Sequence, residues 1–575
     1  MSMQVESDGY DEKNANFKDH ARGRQFSLQG DNADIVEGDV QNLHRGLNGF
    51  HTSMIAIGGA IGAGLFVGAG GAFAQGGPAS VLIGFIIISV MIVCVMQALG
   101  ELATLYPQNG AFTAYIIRFI DPSWGFAMGV IYAVSWLTVL PFELTAAGLT
   151  IDFWRPDINI GVWIAVFLTA MFVIQAFGVR AYGWTEVVLS MIKVITIIGF
   201  CIFAIIDNAG GVPTDPRGYI GFEYWQNGLA FRNGFHGFCS VFVTAAFSFA
   251  GTELVGLTAA ETKNPEKQLP RAIRQTVFRI VVFYLLSLLL VGTLVRADDE
   301  RLLNAGNSNT KDSIFVVAFL NAGVKGLPSV MNVVITLSVI SVANSCTYGS
   351  TRTLQALAAR GMLPKILAYV DKKGRPIPTI LLQLAFAMLA FVNESSSSGG
   401  VLFGWLLALS AIAYFFVWGS ICLAHIRFRM AWKAAGRSID ELPYKASMGV
   451  WGSYLGLLLN IVCLIASIYV GVSPITGEPF SFAVKPFFQQ ILAIPTIFFF
   501  YICYKIFVLI KVPEQRPMWV RISKIDVYEG LRERQKEISG PNVPDSQRKS
   551  SIVENQQRKN YTMAQRFKMV FTDLL

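Results

Sequence analysis

Ile57-Gly58-Gly59-Ala60-Ile61-Gly62-Ala63-Gly64-Leu65-Phe66 lies in the first long apolar block of the chain, and Phe247-Ser248-Phe249-Ala250-Gly251-Thr252-Glu253 lies in the sixth. Four of the seven residues from Gly58 to Gly64 are glycine. In a water-exposed helix interior each glycine costs about 1 kcal/mol relative to alanine. Two readings fit the first stretch alone: close helix packing through small residues, or a local break of the helix. The second stretch favours a break. Small residues again interrupt an apolar run, and a carboxylate, Glu253, follows at once.

The blocks around these stretches identify the solvent. Of 575 residues 53% are hydrophobic and only 15% charged, with a mean hydropathy of +0.50; a soluble domain carries about 25% charged residues. A block of about 20 apolar residues matches the hydrocarbon thickness of a bilayer, where only helices and closed barrels satisfy their backbone polar groups. The blocks are too long and continuous for the roughly 10-residue alternating strands of a barrel. The sequence therefore predicts an all-α membrane protein of about twelve transmembrane helices. They are placed at 51–75, 80–104, 124–149, 160–178, 185–206, 236–259, 276–295, 328–350, 377–393, 402–424, 450–472 and 485–510. The short amphipathic segment Ser313–Gly323 reads as a re-entrant or interfacial helix. Residues 1–50 form a polar N-terminal tail with no signal-peptide core, 51–510 the transmembrane domain and 511–575 a polar C-terminal tail. The seven cysteines lie in apolar blocks without a CxxC pair, so they read as small buried hydrophobes.

Cations set the orientation. Lys263, Lys267, Arg271 and Arg274 follow the sixth span; Arg360, Lys365, Lys372, Lys373 and Arg375 follow the eighth; Arg427, Arg429, Lys433, Arg437 and Lys445 follow the tenth. Even-numbered connections and both tails are therefore expected in the cytoplasm, with the bilayer as the main partner. The net charge of +8 is then an orientation signal, and a nucleic-acid partner is not expected. The tails, with Lys13 and Lys18 and the ending Phe571-Thr572-Asp573-Leu574-Leu575, leave two readings open: contacts with ubiquitin and trafficking machinery, or solvated chain. Asn393-Glu394-Ser395 is a glycosylation sequon in an expected outside loop.

The two breaks are five spans apart. Inverted-repeat transporters put paired broken helices at corresponding positions of two halves, beside a midplane substrate site. Such a break suits a zwitterion: backbone N–H groups opening one half-helix attract a carboxylate, and carbonyls closing the other accept from an ammonium. Gly62, Ala63 and Gly64 are candidates for an α-carboxylate; the carbonyls near Ile57, Phe247, Ser248 and Ala250 are candidates for an α-amine. Ionisable groups inside spans are functional hypotheses by default. Glu143 lies in the third span, Glu186 and Lys193 lie seven residues apart in the fifth, and Glu253 follows the second break. Burial raises carboxyl pKa values and lowers those of lysines, bringing either toward extracellular pH. Lys193, Glu143 and Glu253, in that order of interest, are the proton-coupling candidates; static buried pairing is the competing reading. Glu101 and Glu261 are expected at span ends, in the interface. The five scattered histidines and the lack of HExxH or P-loop motifs argue against an enzyme, a metal site or a cofactor.

Many segments taken together resemble the fungal amino-acid permeases of the amino acid–polyamine–organocation superfamily, nearest to the general amino-acid permease type. They are Arg45-Gly46-Leu47, Ile57–Gly68, Gly76-Gly77-Pro78-Ala79-Ser80, Ala98-Leu99-Gly100-Glu101-Leu102, Arg118-Phe119-Ile120-Asp121 and Leu140-Pro141-Phe142-Glu143. Phe247–Glu253 with Glu261-Thr262, Asn344–Leu357, Leu406–Ser410 and His425-Ile426-Arg427-Phe428-Arg429 complete the match. The resemblance implies a LeuT-type fold, with ten core helices in a five-plus-five inverted repeat, broken helices 1 and 6, and two peripheral helices. It implies amino-acid uptake with protons at the plasma membrane, and substrate contacts from the first, third, sixth, eighth and tenth spans. Those contacts add Phe249, Ser338, Asn344 and Ser410 to the candidates. It also implies that Lys193 stands where related transporters hold a sodium ion. Relatives carry GGSIGTG where this chain has Ala60 and Ala63, so two side-chain donors are lost while the backbone is kept. The expected function is proton symport of amino acids, broad in range with neutral ones favoured. A non-transporting sensor and a carrier of another amine are the alternatives.

Overall fold

The computed structural model describes residues 47, 49–262, 264–303, 313–394, 399–473, 484–511, 519–528 and 531. Most of both tails, with Lys13, Lys18 and the Asp573-Leu574-Leu575 end, as well as Lys263 and Ser395, lie outside these residues. The described residues are predominantly helical, with isolated bridges at Leu47–Thr262 and Ala209–Tyr219 and no strand among them.

Nine helical stretches among the described residues are long and apolar enough to cross a membrane, fewer than the twelve spans read from the sequence. The difference has a geometric cause. Gly64–Leu105 holds two helices that meet at a kink, 42 residues together, about 63 Å of helix, or roughly twice a bilayer core. It is bent at Gly77, whose φ is +78°, immediately before Pro78. A Cβ at Gly77 would lie 2.1 Å from the Leu229 carbonyl oxygen, so only glycine makes this turn. The second half of the first span and the whole second span thus run on without a loop. Ile160–Ala176 and Ile377–Val392 are the two shorter apolar helices, at the fourth and ninth spans.

The remaining spans are Pro122–Ile151, Val179–Asn208, Gly234–Ala260, Pro265–Leu294, Leu327–Ala359, Leu409–Ala434, Gly449–Val472 and Ala493–Lys511. The third span packs along the eighth, the second along the sixth, and the first half-helix Gly49–Gly58 against the fifth. The most apolar stretches of the third and tenth spans are each 89% buried, against 33% and 22% for the eleventh and twelfth. The third and tenth spans therefore lie at the centre, and the eleventh and twelfth, like the fourth, stand at the edge.

Three sequence expectations are refined in the structure. The segment after Ser313 forms the short helix Ile314–Asn321, which packs inside the protein with Ile314 to Phe319 buried. Phe315 meets Phe66 and Phe200 edge-on, and Ser313 Oγ donates to the Phe66 carbonyl at 2.6 Å. Glu101 and Glu261 lie near helix ends, as read, and both are buried in ion pairs. Glu101 is fully buried against His425 Nε2 (2.9 Å) and Arg429 Nη2 (2.7 Å), and Glu261 accepts from Arg352 Nε at 3.1 Å. Their partners are remote in sequence, so proximity to a span end does not reveal the pairing. Cys503 is exposed, whereas the other six cysteines are buried.

Candidate functional site

Both predicted breaks form. Helix Gly49–Gly58 ends in a turn at Gly59 and Ala60, and helix resumes at Ala63 through the wide turn Gly64–Gly68. In the sixth span helix Gly234–Phe249 stops at Ala250 (ψ 141°), Gly251 takes φ +90°, and helix resumes at Leu254. The backbone groups freed at these ends must find partners in the absence of water. Fixed side chains supply many of them. Arg279 Nη1 donates to the Ala56 carbonyl at 2.7 Å, and its Nη2 also donates to Thr252 Oγ1, tying the first half-helix to the second break. Lys193 Nζ donates to the Gly58 carbonyl at 2.9 Å and to Ser341 Oγ at 2.8 Å. The Tyr284 hydroxyl bridges the carbonyls of Ala60 (3.2 Å) and Ser248 (2.8 Å).

The two breaks meet at a small cavity lined by Ala60, Gly62, Gly64, Trp136, Val139, Glu143, Phe247, Ala250, Val342 and Tyr414. It encloses about 10 Å³, room for about one water molecule. The Ala63 N–H donates to the Glu143 carboxylate, whose Oε2 is buried without a partner. Phe247 of the lining is backed by Phe142, edge-on with ring centres 5.2 Å apart.

Gly62, Gly64, Phe247, Ala250 and Glu143 of the sequence-predicted residues line this cavity, and Ala63 adjoins it through Glu143. The others are placed elsewhere. Phe249 turns away and stacks on Tyr284 at 4.4 Å. Ser248 Oγ donates to the Thr244 carbonyl one turn back, and Ser338 Oγ likewise to Val334. Asn344 accepts from Gln175 Nε2 at 3.0 Å. Ser410 and Thr138 hydroxyls are 3.1 Å apart. Ile57 is half-buried at the end of the first half-helix. Glu253 accepts from the Tyr132 hydroxyl (3.0 Å), Gly251 N–H (3.2 Å) and Trp418 Nε1 (3.1 Å), outside the cavity lining.

The amino acid permease family model matches residues 51–516, which is nearly all of the described membrane region. The chain belongs to the amino acid permease family. The permease is 47% identical to the general amino-acid permease of Saccharomyces cerevisiae over 497 residues, covering 85% of this chain and 81% of that protein. It is likewise 47% identical to cationic amino acid transporter 1 of Schizosaccharomyces pombe over 498 residues, covering 86% of this chain and 82% of the relative. Among solved structures it is similar in fold to a manganese transporter of Eremococcus coleocola. The TM-score is 0.50 at 12% identity, over 81% of this chain and 94% of that one. The permease is thus a multi-pass membrane protein of a family that transports amino acids, built on the LeuT-type fold.

Sequence reasoning misses Trp136, Val139, Val342 and Tyr414 of the cavity wall, because apolar residues in an apolar span carry no periodic signal. It also passes over Arg279. That residue sits near the start of the seventh span as read from sequence, yet it is fully buried at the junction of the two breaks. An arginine inside a span was the available signal.

Proposed function

We propose that this permease imports amino acids by proton symport, over a broad range with neutral ones favoured. One observation carries the reading: ionisable side chains hold both sides of the first break. Lys193 binds the carbonyl that ends one half-helix, and Glu143 takes an N–H that begins the other. A change in protonation of either group alters what holds the half-helices together, so proton binding and opening of the site are linked. The α-carboxylate of a substrate would use the Gly62–Gly64 N–H groups. Its ammonium would use the Ala250 carbonyl and Glu143 Oε2, which lacks a partner. The cavity of about 10 Å³ is too small for any amino acid, so binding requires the half-helices to part. Ser338, Asn344 and Ser410 act as supports from the eighth and tenth spans. Glu253, already holding three donors, has the least freedom to trade partners.

The cationic even-numbered connections support cytoplasmic termini and a plasma-membrane setting, with tail lysines open to ubiquitin machinery. A second reading has its own observation. The Glu143 carboxylate, which lines the cavity with Trp136 and Tyr414, suits a cationic side chain as well as an ammonium, and one relative is named for cationic amino acids.

Uptake of labelled amino acids in a permease-deficient yeast, competed by neutral, cationic and carboxylate-free amines at two pH values, tests these readings. Symport expects accumulation that collapses with the proton gradient. Uptake that survives the collapse removes the coupling, and a normal signalling response without flux points to a sensor.

A further inference from the structure

Glu186 is a buried carboxylate that the proposed cycle leaves without a task. It lies on the fifth span, seven residues before Lys193, about 10 Å along the helix axis. Lys193, Glu186 and Ser341 are all fully buried. Lys193 Nζ donates to Ser341 Oγ at 2.8 Å, and Ser341 Oγ donates in turn to Glu186 Oε1 at 2.5 Å. The donors point one way along the chain of three residues. Ser190, which also donates to the Met54 carbonyl at 3.1 Å, adds only a long 3.5 Å contact to the same oxygen. Glu186 Oε2 faces the Asn344 amide with no hydrogen bond of ordinary geometry.

From this alignment we infer that Glu186 is the internal proton acceptor for Lys193, reached through the hydroxyl of Ser341. The inference rests on the proton-coupled reading of Lys193. In the transfer an N–H bond of Lys193 breaks and its proton passes to Ser341 Oγ. The proton already on Ser341 passes to Glu186 Oε1, forming a new O–H bond. Ser341 ends unchanged, Lys193 becomes a neutral amine and Glu186 a neutral acid. No net charge moves into or out of the buried cluster, so the step needs no water in the core. The consequence falls on the first break. The bond from Lys193 to the Gly58 carbonyl is charge-assisted while lysine is protonated, and such bonds are roughly twice as strong as neutral ones. Transfer to Glu186 loosens the end of the first half-helix.

Other charges face this cluster from each neighbouring element. Glu143 of the third span and Arg279 of the seventh face Lys193. Tyr182, one turn before Glu186, stacks on Tyr348 of the eighth span at 4.6 Å, and Tyr348 and Arg352 hold Glu261. His51 of the first half-helix lies against Gly183 and Trp184. Each of these has a fixed partner or sits outside the three-residue chain, and among the described residues Ser341 alone hydrogen-bonds both Lys193 and Glu186.

The test compares gradient-driven accumulation, its pH profile and gradient-independent counterflow in the intact permease, at matched surface amounts. Glu186→Gln keeps an acceptor for Ser341 but cannot take a proton. It is expected to lose at least tenfold in accumulation ratio and to flatten the acid stimulation, while counterflow persists. Ser341→Ala is expected to give the same uncoupling, and Ser341→Thr, which keeps a hydroxyl, to recover acid-stimulated uptake. Wild-type accumulation and pH profile in Glu186→Gln overturn the relay. If that variant fails to reach the surface, the same outcome in Ser341→Ala overturns it. Lys193→Ala separates the two ideas: uncoupling there with normal coupling in Glu186→Gln removes the relay alone, and normal coupling in both removes the underlying role of Lys193.

Discussion

Single residues at the breaks carry two demands at once. Gly62 and Gly64 leave backbone open to the cavity, and both also lie in tight contacts. An added Cβ would fall 2.3 Å from Val342 Cγ2 at Gly62 and 2.7 Å from Ser248 Cα at Gly64. The packing and the break readings of the glycine run are therefore both correct, at the same residues. Gly62→Val is expected to abolish amino-acid binding with the protein still at the surface. Unchanged affinity in a labelled-substrate binding assay would remove the carboxylate site from Gly62–Gly64. At Gly251 the backbone itself sets the demand. Its φ of +90° is a region that costs a non-glycine residue about 1–3 kcal/mol, and a Cβ would also come within 3.2 Å of Trp136. Gly251→Ala is expected to lower the thermal midpoint of the detergent-purified protein, and an unshifted midpoint would contradict the strain argument. The glycines were readable because glycine is unusual in an apolar helix. Phe249, Ser338, Asn344 and Ser410 stand outside the cavity lining in this conformation, and a helix buried on every face gives no direction by its pattern.

At the scale of elements, the structure shows what keeps the second, tenth and eleventh spans in register. The Glu101 carboxylate accepts from His425 Nε2, Arg429 Nη2 and the Ala446 N–H at 2.7–2.9 Å, and His425 Nδ1 is 2.8 Å from Ser453 Oγ. Removing one partner of a buried ion pair costs about 3–5 kcal/mol, because the other charge is left uncompensated. Glu101→Ala is expected to reduce folded yield and thermal stability by this order, while the substrate affinity of the protein that does fold stays near wild type. A change in affinity with stability intact would instead connect this cluster to the transport site. The helices themselves were legible in the apolar blocks. That Gly64–Leu105 runs through a bend without a loop was not, because the Gly76-Gly77-Pro78 signal marks a turn and says nothing of its sharpness. The contact with the Leu229 carbonyl decides that.

For the whole molecule, the cavity at the breaks is about 10 Å³, and the proposed cycle has the first and sixth half-helices part to admit substrate. Arg279 ties the half-helices to each other through Ala56 and Thr252. Arg279→Met is expected to abolish concentrative uptake by unpairing these ends; wild-type uptake would show that the tie is dispensable. The sequence by itself determined the helical membrane class, the two breaks and the family, since apolar block length and glycine clusters are local properties set by the bilayer and the backbone. Only the tertiary structure decided which side chains meet at the breaks. It brought Lys193 to Gly58, Glu143 to Ala63, Arg279 to Ala56 and Ser341 to Glu186. These are contacts between helices distant in sequence, fixed by how each helix is rotated and packed, and a helix that is apolar on all sides does not record its own rotation.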